Sequence, residues 1–169
     1  HVAVRRQRQM CIRDRIYLNG KKLYQRLVLD QGFYPNGIWT APSDKDLKND
    51  IILSMKAGFN GARLHEKVFE DRFHYWADKL GYITWAEFPN WGMNENAKAS
   101  ETYFLREWPR IVNYLKNHPS IITWTPFNET NTLECNAQHK KLMRIAYDVT
   151  KKIDPTRPVN ETSGYQHQK

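Results

Sequence analysis

At 169 residues the chain is long enough for one ordinary domain. Its formal net charge of +8 does not point to a nucleic-acid partner, because Arg5, Arg6, Arg8, Arg13 and Arg15 against Asp14 put half of it in the first 15 residues and no comparable basic block follows. Cys11 and Cys135 stand in no CxxC or Cys/His cluster, which argues against a disulfide framework or a zinc site, and no apolar run approaches the roughly 18–20 residues of a membrane span.

Aromatic residues make up 13% of the chain, with six Trp and nine Tyr, a supply that suits either sugar-stacking platforms or a large buried core. The chain opens on His1 rather than Met and shows no charged-then-apolar leader, so the true N-terminus is expected to lie outside it. Residues 1–15 carry no helical or strand period and read as translated adapter sequence. They are set aside as a non-native basic segment, with a genuine basic arm as the alternative.

Residues 16–169 behave differently. Ile16-Tyr17-Leu18, Asn19-Gly20 and Lys21-Lys22-Leu23-Tyr24 predict a hairpin with an Asn-Gly turn. Arg26-Leu27-Val28-Leu29-Asp30 predicts a short buried strand. Ser43-Asp44-Lys45-Asp46 is a helix start resembling a capping box, followed by Leu47, Ile51 and Met55 on one stripe and by Gly58 as the stop. Asn60 to Leu64 is the next strand. Phe69, Phe73, Trp76, Ala77 and Leu80 form a helical stripe closed by Gly81, and Tyr82 to Ala86 is the third strand, ending at Glu87. Leu105, Trp108, Ile111, Val112 and Leu115 predict a helix over 101–117, in which Pro109 either kinks the helix or begins a second one. Ile121 to Phe127 is the fourth strand. Leu142, Ile145, Ala146, Val149 and Ile153 form the fourth long helix, and Pro158-Val159-Asn160 begins a fifth strand.

Strand and helix alternating four times predict an α/β fold with a parallel sheet. A doubly wound open sheet needs a glycine-rich phosphate turn after its first strand, and Asp30-Gln31-Gly32-Phe33-Tyr34-Pro35 is not one. Polar and aromatic residues instead follow the strands: Asp30, His65, Glu87, Trp91, Asn128 and Glu129. A (β/α)₈ barrel carries its chemistry at that rim and takes ~250 residues, so the expected fold is a partial TIM barrel of roughly strands 1 to 5.

The sharpest motif is Trp124-Thr125-Pro126-Phe127-Asn128-Glu129, preceded by Asn117-His118-Pro119-Ser120-Ile121-Ile122. With Gly58-Phe59-Asn60-Gly61-Ala62-Arg63, Tyr75-Trp76-Ala77-Asp78-Lys79-Leu80-Gly81 and Asp154-Pro155-Thr156-Arg157-Pro158-Val159, it resembles glycoside hydrolase family 2, the β-galactosidase, β-glucuronidase and β-mannosidase group, from about Ile16 onward. Independently of the family, cleaving a glycosidic bond requires a carboxylic acid that can hand a proton to the leaving oxygen. The resemblance assigns that role to Glu129, with Asn128 hydrogen-bonding the sugar 2-hydroxyl. The plainer alternative is that the pair caps the next helix.

The resemblance further implies that Arg63 orients active-site carboxylates, that His65 touches substrate and that Glu87 supports the acid/base. Structural roles remain open for His65 and Glu87. The run Leu64-His65-Glu66-Lys67 departs from the Ser-His-Tyr-Pro common in relatives, which leaves the sugar open. Asp30 stands between binding a hydroxyl and a structural hydrogen bond, and Trp91 is the loop candidate for stacking on a sugar. A retaining glycosidase needs a second carboxylate, the nucleophile, which the family carries at its seventh strand. Glu161 is the tempting substitute but falls at the fifth strand end, so no nucleophile is expected in this chain. The expectation is a fragment of a retaining exo-β-glycosidase, inactive and marginally stable alone, with a non-catalytic carbohydrate-binding barrel as the alternative. It implies a carbohydrate substrate, no cofactor, metal, nucleic acid or membrane, and leaves homo-oligomerisation of the full-length protein open.

Overall fold

The computed structural model describes residues 9–12, 15–130, 135–164 and 167. A three-stranded antiparallel sheet comes first: β1 (Gln9–Ile12), β2 (Arg15–Leu18) and β3 (Lys21–Leu23). The expected hairpin is β2–β3. Leu18 pairs with Lys21, and Asn19 and Gly20 at φ 52° and 79° supply the two left-handed residues of a tight turn. β1 departs from the expectation of no regular structure before residue 16. It gains its strand conformation by pairing with β2 rather than from any period of its own.

A parallel sheet in the order β4-β5-β6-β7 follows, with β4 (Leu27–Asp30), β5 (Gly61–Leu64), β6 (Ile83–Glu87) and β7 (Ile121–Thr125). Helices α1 (Asp44–Lys56), α2 (Asp71–Leu80) and α3 (Lys98–Leu115) make the crossovers, and α4 (Ala137–Ile153) follows β7. The fifth strand survives as a parallel bridge between Trp124 and Val159. These are the strands and helices of the first half of a (β/α)₈ barrel, in unbroken chain order.

Local chemistry fixes the helix ends. The Ser43 hydroxyl accepts the Asp46 amide at 3.3 Å, Gly81 closes α2 at φ 71°, and Asn136 caps α4 by accepting the His139 amide at 3.0 Å. Pro109 lies inside one continuous helix. Two details differ from expectation. β4 is only half-buried because it is the edge strand, and its Leu29 is 53% exposed. Met55, in the last turn of α1, is exposed, whereas Leu47 and Ile51 of the same stripe are buried.

Side chains alternate along the strands with period two. Ala62 and Leu64 pack outward with Leu47, Ile51 and Phe73 on the helices, so Arg63 faces the inner side. Register then pairs Arg63 with Trp85, and Glu87 follows on the same face as Trp85. On β7, Trp124 packs outward against Trp108 at 5.8 Å. The core around it is largely aromatic: Phe104 stacks on Phe127 at 4.9 Å and meets Phe88 edge-on at 5.1 Å. The buried indole N–H groups find acceptors, Trp108 in Thr150 at 2.7 Å and Trp124 in Asp154 at 2.9 Å. Burial pushes the Asp154 carboxyl up, but hydrogen bonds from Thr156, Trp124 and Arg157 outweigh it and hold the pKa at about 2. Arg157 also donates to the carbonyls of Lys116, His118 and Ile121, which anchors the start of β7.

His74 is buried in α2 beside His118, ring centroids 5.1 Å apart, with neither ring nitrogen hydrogen-bonded among the described residues. Burial, and then the neighbouring His118, push its pKa from 6.5 down to about 4. The unfolded chain therefore takes up a proton that the native chain refuses. The contribution to stability is complete above pH 6.5 and is lost as pH falls toward 4, by up to about 3 kcal/mol. His74→Phe is expected to flatten this part of the acid limb, read from urea midpoints across that window. An unchanged slope counts against it.

Candidate active site

The inner-facing residues at the strand ends form one connected polar cluster. Arg63 on β5 grips Glu87 on β6 with two hydrogen bonds, Nε to Oε2 at 2.6 Å and Nη2 to Oε1 at 3.2 Å, and the Glu87 side chain is fully buried. The same Nη2 donates to Asn128 Oδ1 and, at 2.9 Å, to Ser163 Oγ. Ser163 donates in turn to Asn128 Oδ1 at 3.0 Å and accepts the Glu129 amide at 3.1 Å, so its one donor and two acceptor positions are all used. Asn90 Oδ1 holds the Asn128 amide at 2.8 Å. These bonds leave Asn128 Nδ2 buried and without a partner among the described residues, a donor held in place with nothing yet to donate to.

Glu129 follows directly. Its backbone sits in the left-handed region at φ 43°, which is unfavourable for a residue with a Cβ. Gly164 packs against that turn, where a Cβ would come within 2.3 Å of Thr130 N and 2.4 Å of Thr130 O. The Glu129 side chain is exposed on the wall of a cavity of about 290 Å³ shared with Asn90, Trp91, Glu95, Asn128 and His139.

His65 is buried, its Nδ1 2.9 Å from Gln31 Nε2, and it meets Trp91 edge-on at 5.3 Å. Trp91 is 64% exposed and lines three cavities, the exposure a stacking platform requires. Asp30 is not brought to this cluster. Its Oδ1 accepts the Gly32 amide at 2.8 Å, and its side chain lines a separate cavity with Asp50. Glu161 is buried with Oε1 3.5 Å from His167.

Three participants were not identified from sequence: Ser163, Asn90 and Glu66. Glu66 is buried at φ 54°. Its Oε2 accepts the Trp91 amide at 2.9 Å, its own amide donates to Glu87, and Oε1 has no partner among the described residues. Burial, opposed by the Trp91 amide, raises its pKa to about 7. His65, Glu66 and Glu87 each bring one donor atom within 4.8 Å of the others, the geometry of a cation site, but the Arg63 guanidinium on Glu87 already supplies positive charge there.

The sequence that carries this cluster matches a known family. The model of glycosyl hydrolases family 2, TIM barrel domain, matches residues 12–168. The chain belongs to that family. A β-galactosidase of Thermoanaerobacterium thermosulfurigenes is 30% identical over 162 residues, covering 91% of this chain and 20% of that protein. A putative β-glucuronidase of Formosa agariphila is 34% identical over 121 residues, 67% of this chain and 14% of its own length. The family 2 chain thus spans a fifth or less of these two relatives. Among solved structures, a family 2 member from Bacteroides cellulosilyticus superposes with a TM-score of 0.76 at 25% identity, over 90% of this chain and 20% of its own. The β-D-glucuronidase of Dictyoglomus thermophilum gives 0.80 at 19% identity over 90% and 28%, a likeness of fold.

Proposed function

We propose that this family 2 chain is the acid/base half of a retaining exo-β-glycosidase acting on terminal β-galactosides, β-glucuronides or β-mannosides. The observation that carries the reading is the Asn128-Glu129 pair. One side chain is immobilised by Arg63 and Ser163 with its amide N–H₂ uncommitted, and the next opens into a cavity beside an exposed tryptophan. On this reading Glu129 protonates the glycosidic oxygen as the bond breaks. It then takes a proton from the water that releases the sugar. Asn128 Nδ2 donates to the 2-hydroxyl, a contact that tightens as the ring flattens toward the oxocarbenium ion. Arg63, with Glu87 as its counter-ion, is a positioning residue for Asn128.

The nucleophile is proposed to lie outside this chain. Glu87 is engaged by Arg63 and Glu161 is buried against His167. Accordingly, the 169-residue chain should not hydrolyse aryl β-glycosides, whereas the full-length protein should. Turnover by the chain alone, abolished in Glu129→Gln, would refute a missing nucleophile. Gly164→Ala in the full-length protein should push the Glu129-Thr130 peptide aside and lower kcat by up to about 10²-fold with KM little changed. Full activity in that variant counts against the tight turn as a positioning device.

A further inference from the structure

Of the three cavities that Trp91 lines, two also hold carboxyl groups. The one of about 290 Å³ has Glu95 and Glu129 in its wall, and the other, of about 340 Å³, has Glu66 beside His65, with the rings of Phe33 and Trp39 opposite. Among the described residues lining the two there are three carboxyl groups and no lysine or arginine, in a chain whose net charge is +8; Glu129, as the proton donor, is neutral when substrate binds, so the negative charge falls to Glu66 and Glu95. The nearby cations are committed elsewhere. Arg63 is paired with Glu87, and the Lys67 ammonium, itself buried, donates to the carbonyls of Gly32 and Trp39 and lies 3.4 Å from Glu70. Glu95 is partly satisfied by Asn90 Nδ2 at 2.7 Å, but Glu66 keeps one oxygen without a partner among the described residues.

Carboxylates accept hydrogen bonds from sugar hydroxyls and repel a sugar that bears its own carboxylate, and a wall of low dielectric strengthens both effects. Relatives of both kinds, β-galactosidase and β-glucuronidase, lie within reach of this sequence, so family membership alone does not choose between them. We propose that the sugar accepted beside Trp91 is an uncharged β-hexopyranoside rather than a β-uronide, and that Glu66 is the residue that enforces the choice. The inference rests on the glycosidase reading and narrows its substrate class. The groups around Glu66 are His65 and Glu87 at the strand ends, Arg63 behind Glu87, Lys67 next in sequence and Glu95 on the loop. Their only uncommitted charges are negative.

The test uses the full-length protein at about pH 8, where a carboxyl of this kind is ionised. The 4-nitrophenyl β-galactoside should exceed the β-glucuronide in kcat/KM by at least about tenfold, and Glu66→Gln should narrow that ratio at least about threefold, through KM for the glucuronide. Glu95→Gln, across Trp91, gives a second reading should Glu66→Gln fail to fold. Binding is read separately by calorimetry with neutral galactonolactone and anionic glucarolactone, the neutral one expected to bind more tightly. Preference for the glucuronide or for glucarolactone overturns the proposal, as does a ratio that folded Glu66→Gln leaves unmoved or, where that variant does not fold, one that Glu95→Gln leaves unmoved. If none of the β-galactoside, β-glucuronide and β-mannoside is hydrolysed while galactonolactone still binds more tightly than glucarolactone, the enzymatic reading fails and the preference for an uncharged sugar stands.

Discussion

Glu129→Gln in the full-length protein should lower kcat/KM for an alkyl β-glycoside by about 10²–10⁴-fold, the usual contribution of a positioned acid/base. The loss should shrink as the leaving group becomes more acidic, because a nitrophenolate departs without protonation while an alkoxide does not. Glutamine keeps the shape and removes the proton. Since Glu129 is exposed and its own hydrogen bond to Ser163 runs through the backbone, stability should stay within about 0.5 kcal/mol of the parent. A uniform loss across leaving groups would argue for a binding role, and no loss at all would remove Glu129 from the mechanism.

Arg63→Met is expected to act on the fold itself. It strips the cation from a carboxylate whose side chain is fully buried and leaves Asn128 and Ser163 without their shared donor. Breaking a buried ion pair from one side costs about 3–5 kcal/mol, most of it the penalty of the abandoned charge. The double change Arg63→Met with Glu87→Gln should recover part of that loss, and urea denaturation of the four forms gives the coupling directly. Arg63→Lys keeps the charge but cannot make the two-pronged contact, and should fall between. If Arg63→Met unfolds at the parental midpoint, the cluster is not what holds β5 to β6 at their ends.

The parts of this site that were legible in the sequence share one property. Arg63, His65, Glu87 and Asn128 sit within a few residues of a strand end, and strands announce themselves through their apolar runs and the glycines and prolines around them. Alternation then fixes which side a residue faces, and the Trp-bearing run before Asn128-Glu129 fixes the family. Ser163 offered no such handle. It lies after a strand reduced to a single bridge, and a serine among Thr162, Ser163 and Gly164 is ordinary loop composition until a hydroxyl is found accepting from Arg63. Glu66 was missed for a different reason. Its carboxyl is buried because the backbone turns left-handed at φ 54°, a conformation that no periodicity reports and that a glutamate rarely takes. Asp30 occupies the expected strand end, and of the two roles open to it the structure shows the structural hydrogen bond, from the Gly32 amide two residues away to Oδ1.

Ser163 also ties the assembly of the site to the order in which the chain is made. Its hydroxyl joins partners 35 and 100 positions back along the sequence, Asn128 and Arg63. A nascent polypeptide that has emerged only as far as β7 holds all the residues that pair β4 to β7, but it lacks the hydroxyl that anchors the amide of Glu129. The hydrogen-bonded geometry of Asn128 and Glu129 therefore cannot be complete until residue 163 has emerged, after the strands of the parallel sheet are available to pair.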